Sequence, residues 1–183
     1  MNQSRKFQTR DTALFAILLS IGLVLHYLES FFCIPVGGFL LKIGMSNVVI
    51  LFYIVQNENK EAILMAICKI LLSLFFSPTL NFSNFLISFG GLLLSFVGMT
   101  ISSKLTNQKI IPVSITGGIL HNMGQLIAVI YLVRMTFFLQ QIWFFSPLLI
   151  ILGSFSGFVV GSVTQLILSK LSKFPKKSDY NNK

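Results

Sequence analysis

Seven side chains able to bind, ionise or exchange a proton interrupt the apolar stretches of this chain: His26, Glu29, Lys42, Lys69, His121, Asn122 and Gln125. In a bilayer such groups are costly. A charge near its centre costs at least ~2.5–3.5 kcal/mol on insertion scales, and lipid offers amides no partners. Gly118, His121, Asn122 and Gln125 recur at i, i+3, i+4 and i+7, which puts them on one face of a helix. Gly22, His26 and Glu29 form a similar stripe earlier in the chain. Each stripe joins a glycine, where another group can approach closely, to hydrogen-bonding side chains. Two readings are open. In one, Glu29 pairs with Lys69 or Lys42, and the amides tie helices together at ~1 kcal/mol per bond. In the other, these groups line a ligand cavity that opens outward, with the lysines and histidines favouring an anionic or carbonyl group.

Other chemistries lack their residues. The only aspartates, Asp11 and Asp179, lie in the terminal segments. The chain has no Gly-rich loop ending in GK[ST] to cradle phosphates, and no HExxH or paired Cys/His spacing for zinc. Cys33 and Cys68 are too few for a disulfide framework. No serine or cysteine stands in a nucleophile motif beside His26 or His121. The expectation is a binding protein, with no enzymatic activity, cofactor or metal.

The elements that must carry these residues are membrane helices. The chain has 183 residues, 54% of them hydrophobic and 10% charged, against about 25% charged in a soluble domain. Apolar runs predict an all-α membrane protein, a bundle of about six transmembrane helices. The predicted spans are 12–32, 39–55, 61–76, 85–102, 111–133 and 146–168, with an aromatic interfacial stretch at 137–145. The second and third spans are short for a ~30 Å hydrocarbon core, so they start in the headgroup region or end against re-entrant loops. Residues 1–11 read as a cytoplasmic segment, 12–168 as the membrane domain and 169–183 as a basic cytoplasmic tail. The first span reads as a retained helix, since it ends in His26 and Glu29 without a small-residue cleavage site.

The net charge of +9 is a topology signal; it does not predict a nucleic-acid partner. Arg5, Lys6, Arg10, Lys60, Lys104, Lys109, Lys170, Lys173, Lys176, Lys177 and Lys183 fall on one side of a six-span topology. Only Lys42 and Arg134 fall on the other. The positive-inside rule then places both termini in the cytoplasm.

Small residues mark helix contacts. Ser88, Gly91, Ser95, Gly98 and Ser102 form a stripe on the fourth span, and Gly153, Gly157 and Gly161 form a doubled GxxxG on the sixth. Ala16 and Ser20 make a weaker pair on the first. These stripes serve either internal packing or a partner subunit.

Leu28-Glu29-Ser30, the run Lys42-Ile43-Gly44-Met45-Ser46-Asn47, Gly90-Gly91-Leu92, and above all His121-Asn122-Met123-Gly124-Gln125 resemble a bacterial family. It is labelled heptaprenyl diphosphate synthase component I, and also called the Gx transporter family. The resemblance spans about Ala13 to Leu168. It adds Asn47 to the candidate substrate contacts. Where the family leads one to expect an arginine in the third span, this chain has Lys69, a point charge without the bidentate fork. Prenyl diphosphate synthases hold magnesium and diphosphate with DDxxD motifs, and this chain has no paired aspartates. At most it would be an accessory subunit of such an enzyme. The family is also similar to the substrate-binding (S) components of energy-coupling-factor vitamin importers. That similarity implies a six-helix protein of the bacterial cell membrane that binds a small molecule near the outer face. It further implies docking, through first-helix residues such as Ala16 and Ser20, onto a transmembrane coupling subunit driven by separate ATPases.

Overall fold

The computed structural model describes residues 9–36, 39–76, 82–133 and 138–171. Six α-helices make up nearly all of it: α1 Thr9–Glu29, α2 Val48–Val55, α3 Asn59–Phe76, α4 Phe82–Leu105, α5 Ile110–Val133 and α6 Phe138–Leu171. Four of them, α1, α4, α5 and α6, are long and apolar enough to cross a membrane. Large apolar side chains such as Ile17, Phe75, Phe155 and Leu166 stand on the outside of the bundle, as they do where lipid is the solvent. The chain is an all-α membrane protein.

The predicted second span, 39–55, is not one helix. Ile34–Val36 (β1) and Phe39–Leu41 (β2) form an antiparallel hairpin, with Ile34 opposite Leu41 and Val36 opposite Phe39. The chain then runs irregularly to Gly44, makes one 3-10 turn at Met45–Asn47, and only then enters α2. Eight residues of helix reach about 12 Å at 1.5 Å per residue, far short of the bilayer core. The physical cause is Gly44, at φ 89°, in a left-handed conformation that a helix cannot propagate. Every residue of α2 from Val48 to Val55 is buried. A helix apolar on all sides is satisfied either by lipid or by enclosure in protein, and α2 is enclosed, among α1, α3, α4, α5 and α6.

The third helix has the length of a span but carries Lys60, Glu61 and Lys69. The first ends at Glu29, three residues before the predicted Phe32, as Ser30, Phe31 and Phe32 tighten into turn hydrogen bonds to Tyr27, Leu28 and Glu29. Residues 138–145, expected as an interfacial stretch, are continuous with the last helix, which runs through Pro147. The side chain of Trp143 lies outside the described residues, as do Gly37, Gly38, Arg134, nearly all of the N-terminal segment and the basic tail beyond Leu171.

The small-residue stripes on α4 and α6 pack inside the bundle. A Cβ on Gly118 of α5 would run into the Gly153 carbonyl oxygen and lie 3.1 Å from Gly157 Cα. Gly90 and Gly91 of α4 face Gly124 of α5 backbone to backbone, and Gly98 accommodates Leu120. Gly161 meets Ser114 and Ile111. Gly22 gives way to Val49 of α2, whose Cγ2 would be 2.9 Å from a Cβ there. Ala16 and Ser20, by contrast, face outward, and the Ser20 hydroxyl donates back to the Ala16 carbonyl. Two apolar cores result: one around α2, the other where Leu41 of the hairpin meets Ile87, Leu126, Val129 and Leu149. Between Leu41 and Val48 the chain passes from one core to the other, and that stretch carries the polar residues.

Candidate functional site

The turn Lys42–Asn47 is the hub. Breaking the helix there frees backbone groups and aims side chains inward at the level where α1 ends and α3, α4 and α5 pass by. Glu29, the last residue of α1, accepts the Ser46 N–H on Oε1 at 2.6 Å and faces the Ser46 hydroxyl with Oε2 at 3.4 Å. A carboxylate thus meets one of the unpaired N–H groups that open a helical segment. From α3, Lys69 Nζ donates to Ser46 Oγ at 3.0 Å and to Asn47 Oδ1 at 2.8 Å. Glu29 and Lys69 are therefore joined through the Ser46 hydroxyl, where a direct ion pair was one expectation. Both are only 3% exposed.

Asn47 passes the network on. Its Nδ2 donates to Ser95 Oγ of α4 at 3.2 Å and lies 3.2 Å from His121 Nδ1 of α5. Gln125, one turn further along α5, receives the Lys42 N–H on Oε1 at 2.8 Å and returns Nε2–H to the Lys42 carbonyl at 3.0 Å. Two backbone bonds of opposite sense fix that amide. Its Nε2 also stands 2.6 Å from His121 Nε2, which must therefore accept. His121 Nδ1 faces the Asn47 amide nitrogen and lies beside the Gly91 backbone. Gly91 and Gly44 make room for this ring. A Cβ at Gly44 would lie 2.7 Å from His121 Cδ2, and one at Gly91 would lie 2.9 Å from Cε1.

The outer end of the network is simpler. Lys42 Nζ lies 3.0 Å from His26 Nε2. An ammonium can only donate, so His26 accepts at Nε2 and keeps its proton on Nδ1. Lys42 is half-buried beside the hairpin. His26, Glu29, Lys42, Asn47, Lys69, His121 and Gln125 thus form one connected cluster. Ser46 and Ser95 complete it. Nothing in the spacing of Ser46 marks it for this role, and Ser95 belongs to the small-residue stripe of the fourth span. Asn122 is the exception among the predicted contacts: its Nδ2 donates to the Leu149 carbonyl at 2.9 Å, tying α5 to α6. The Ser156 hydroxyl of α6 reaches the Ile43 carbonyl at 3.2 Å and steadies the turn from the other side.

A cavity of about 10 Å³ adjoins the turn, lined by Gly44, Asn47, Ser114, Gly118 and Ser156 among others. The buried Ser114 hydroxyl beside it has no hydrogen-bond partner among the described residues. No three His, Cys, Asp or Glu side chains converge there as a metal site would need, among the described residues.

Fold and cluster together define a multi-helix membrane protein with an enclosed, hydrogen-bonded polar centre built from residues of five separate segments. The chain belongs to the heptaprenyl diphosphate synthase component I family, whose model matches residues 18–167. That stretch contains every residue of the cluster. No curated protein and no solved structure shows significant similarity to the chain.

Proposed function

We propose that this protein is a non-catalytic substrate-binding subunit of a small-molecule importer in a bacterial cell membrane, working with separate coupling and ATPase subunits. One observation carries the reading. Buried charges and amides, which lipid penalises heavily, are gathered from α1, the Lys42–Asn47 turn, α3, α4 and α5 into a single cluster. Lys42, at its outer end, is only half-buried. Helix glue needs a bond or two between neighbours, as Asn122 makes to Leu149. It does not need two ammonium groups, a carboxylate and two imidazoles in one place. The resemblance to S components supports the division of labour, and this chain carries no phosphate loop of its own.

The family description favours a second reading, an accessory membrane subunit of prenyl diphosphate synthesis. The absence of paired aspartates leaves any catalysis to a partner. One experiment separates the two. The tagged chain is purified gently from its own membranes and the retained proteins are identified. The importer reading expects a transmembrane coupling subunit and ATPases. Recovery of a soluble aspartate-rich synthase in their place would establish the accessory role.

A further inference from the structure

We infer that the ligand of this cluster is a monoanion, carrying a carboxylate or phosphodiester head that Lys42 receives at the outer end; this rests on the binding role proposed above. The charges give the sign. Lys69 and Glu29 offset each other through Ser46: Lys69 Nζ donates to Ser46 Oγ, and Glu29 takes the Ser46 hydroxyl and N–H. Lys42 makes no ion pair or carboxylate hydrogen bond among the described residues. The partner of its ammonium is His26 Nε2, a neutral acceptor. With both histidines accepting through Nε2, each is a neutral imidazole, and the cluster keeps one cation more than it has anions. An uncompensated charge withdrawn from water is among the costliest features a protein can hold. A ligand with one negative charge removes that excess, whereas a cation doubles it and a dianion reverses it.

Geometry places the head group. Gln125 pins the Lys42 backbone by its N–H at 2.8 Å and its carbonyl at 3.0 Å, so the side chain swings from a fixed root. Lys42 is half-buried, whereas Glu29, Lys69 and His121 are enclosed. An incoming oxyacid therefore meets Lys42 first and takes over the ammonium hydrogen bond now made to His26. Anionic solutes and anionic lipid headgroups share this chemistry.

The test uses the full chain in phosphatidylcholine nanodiscs at fixed ionic strength, with melting temperature read against ligand concentration. The probes are acetate, benzoate and dimethyl phosphate, with methylamine and benzylamine as their cationic counterparts. A parallel set of discs contains phosphatidylglycerol. The expected result is a saturable rise with at least one anion and none with the amines. Lys42→Met should weaken that response ~tenfold or more, the worth of a hydrogen bond to a charged group, and Lys42→Arg should retain it. A rise only in phosphatidylglycerol discs, lost in Lys42→Met, would identify a lipid headgroup as the anion and still support the assignment. Should Lys42→Met not fold, Lys42→Gln takes its place. Stabilisation by an amine, no response to any anion or to phosphatidylglycerol, or an anion response that survives Lys42→Met and Lys42→Gln would overturn it. Copurified coupling subunits without an anion response would sink this inference alone. An anion response without those subunits would sink the importer reading and leave the ligand class standing.

Discussion

Asn122 and Gln125 lie three residues apart on one face of α5, yet their amides do different work. Gln125 holds the Lys42 backbone and His121, while Asn122 reaches across to the Leu149 carbonyl. Asn122→Ala should therefore cost about 1 kcal/mol of stability, the usual worth of an interhelical hydrogen bond, and leave ligand affinity unchanged. His121→Ala should weaken binding or uptake about five- to 150-fold, the range for a hydrogen bond lost to a buried ligand group. The check is ligand affinity and melting temperature measured on the same purified variants. Equal affinity loss in both would mean that Asn122 also contacts the ligand. Gly44 is constrained twice, by its φ of 89° and by the His121 ring 2.7 Å from where its Cβ would stand. Gly44→Ala should lose about 1–2 kcal/mol from the backbone alone, with a further loss as His121 is displaced. Thermal unfolding of the purified variant measures it, and a shift no larger than that of Leu93→Ala, an exposed side chain, would contradict the placement of the turn.

At the scale of elements, the bundle is tightest where α5 meets its neighbours on glycine. The Gly118 and Gly153 backbones touch, and Gly157 lies against Ile115 Cα at 2.6 Å from its own would-be Cβ. Gly161 is less crowded, with Ser114 Cβ at 3.0 Å and Ile111 Cα at 3.3 Å from a would-be Cβ. Gly118→Ala should thus destabilise by the ~1–3 kcal/mol typical of overpacking, and Gly161→Ala by less. Detergent melting temperatures for the pair decide this, and the reverse order would show that α5 and α6 do not pack as described.

For the whole molecule, the hairpin Ile34–Leu41 and the basic tail are expected on opposite sides of the membrane. Labelling intact cells with an impermeant maleimide tests this. With Cys68 replaced by alanine, Cys33 at the hairpin should label. In a variant lacking both native cysteines, one introduced at Lys177 should not. The reaction has a pH signature. Burial pushes the Cys33 thiol above its ordinary range, with nearby Lys42 opposing and Glu29 adding to the rise. The thiolate is the nucleophile, so labelling should be slower than that of a free thiol at neutral pH and quicken as pH rises. Labelling at position 177 in sealed cells would reverse the orientation.

Composition alone determined the solvent: with 10% charged residues, the chain cannot cover a globule of this size with water-facing groups. Helical periodicity likewise put His121 and Gln125 on one stripe and marked Gly91, Gly153 and Gly157 as places of close approach, because those relations are local to one helix. The length of the second helix was not legible. Phe39 to Val55 is apolar apart from Lys42, Ser46 and Asn47, and an apolar run reads the same whether it crosses lipid or lies enclosed by protein. Only the packing of α2 among the other helices, and the left-handed turn at Gly44, cut it to eight residues. Nor could spacing say which amide serves the cluster and which ties helices, since Asn122 and Gln125 differ only in what lies opposite them. That depends on contacts between residues far apart in the chain, such as Lys42 with Gln125 and Asn47 with Lys69. One-dimensional periodicity carries no information about such pairs; the tertiary structure decides them.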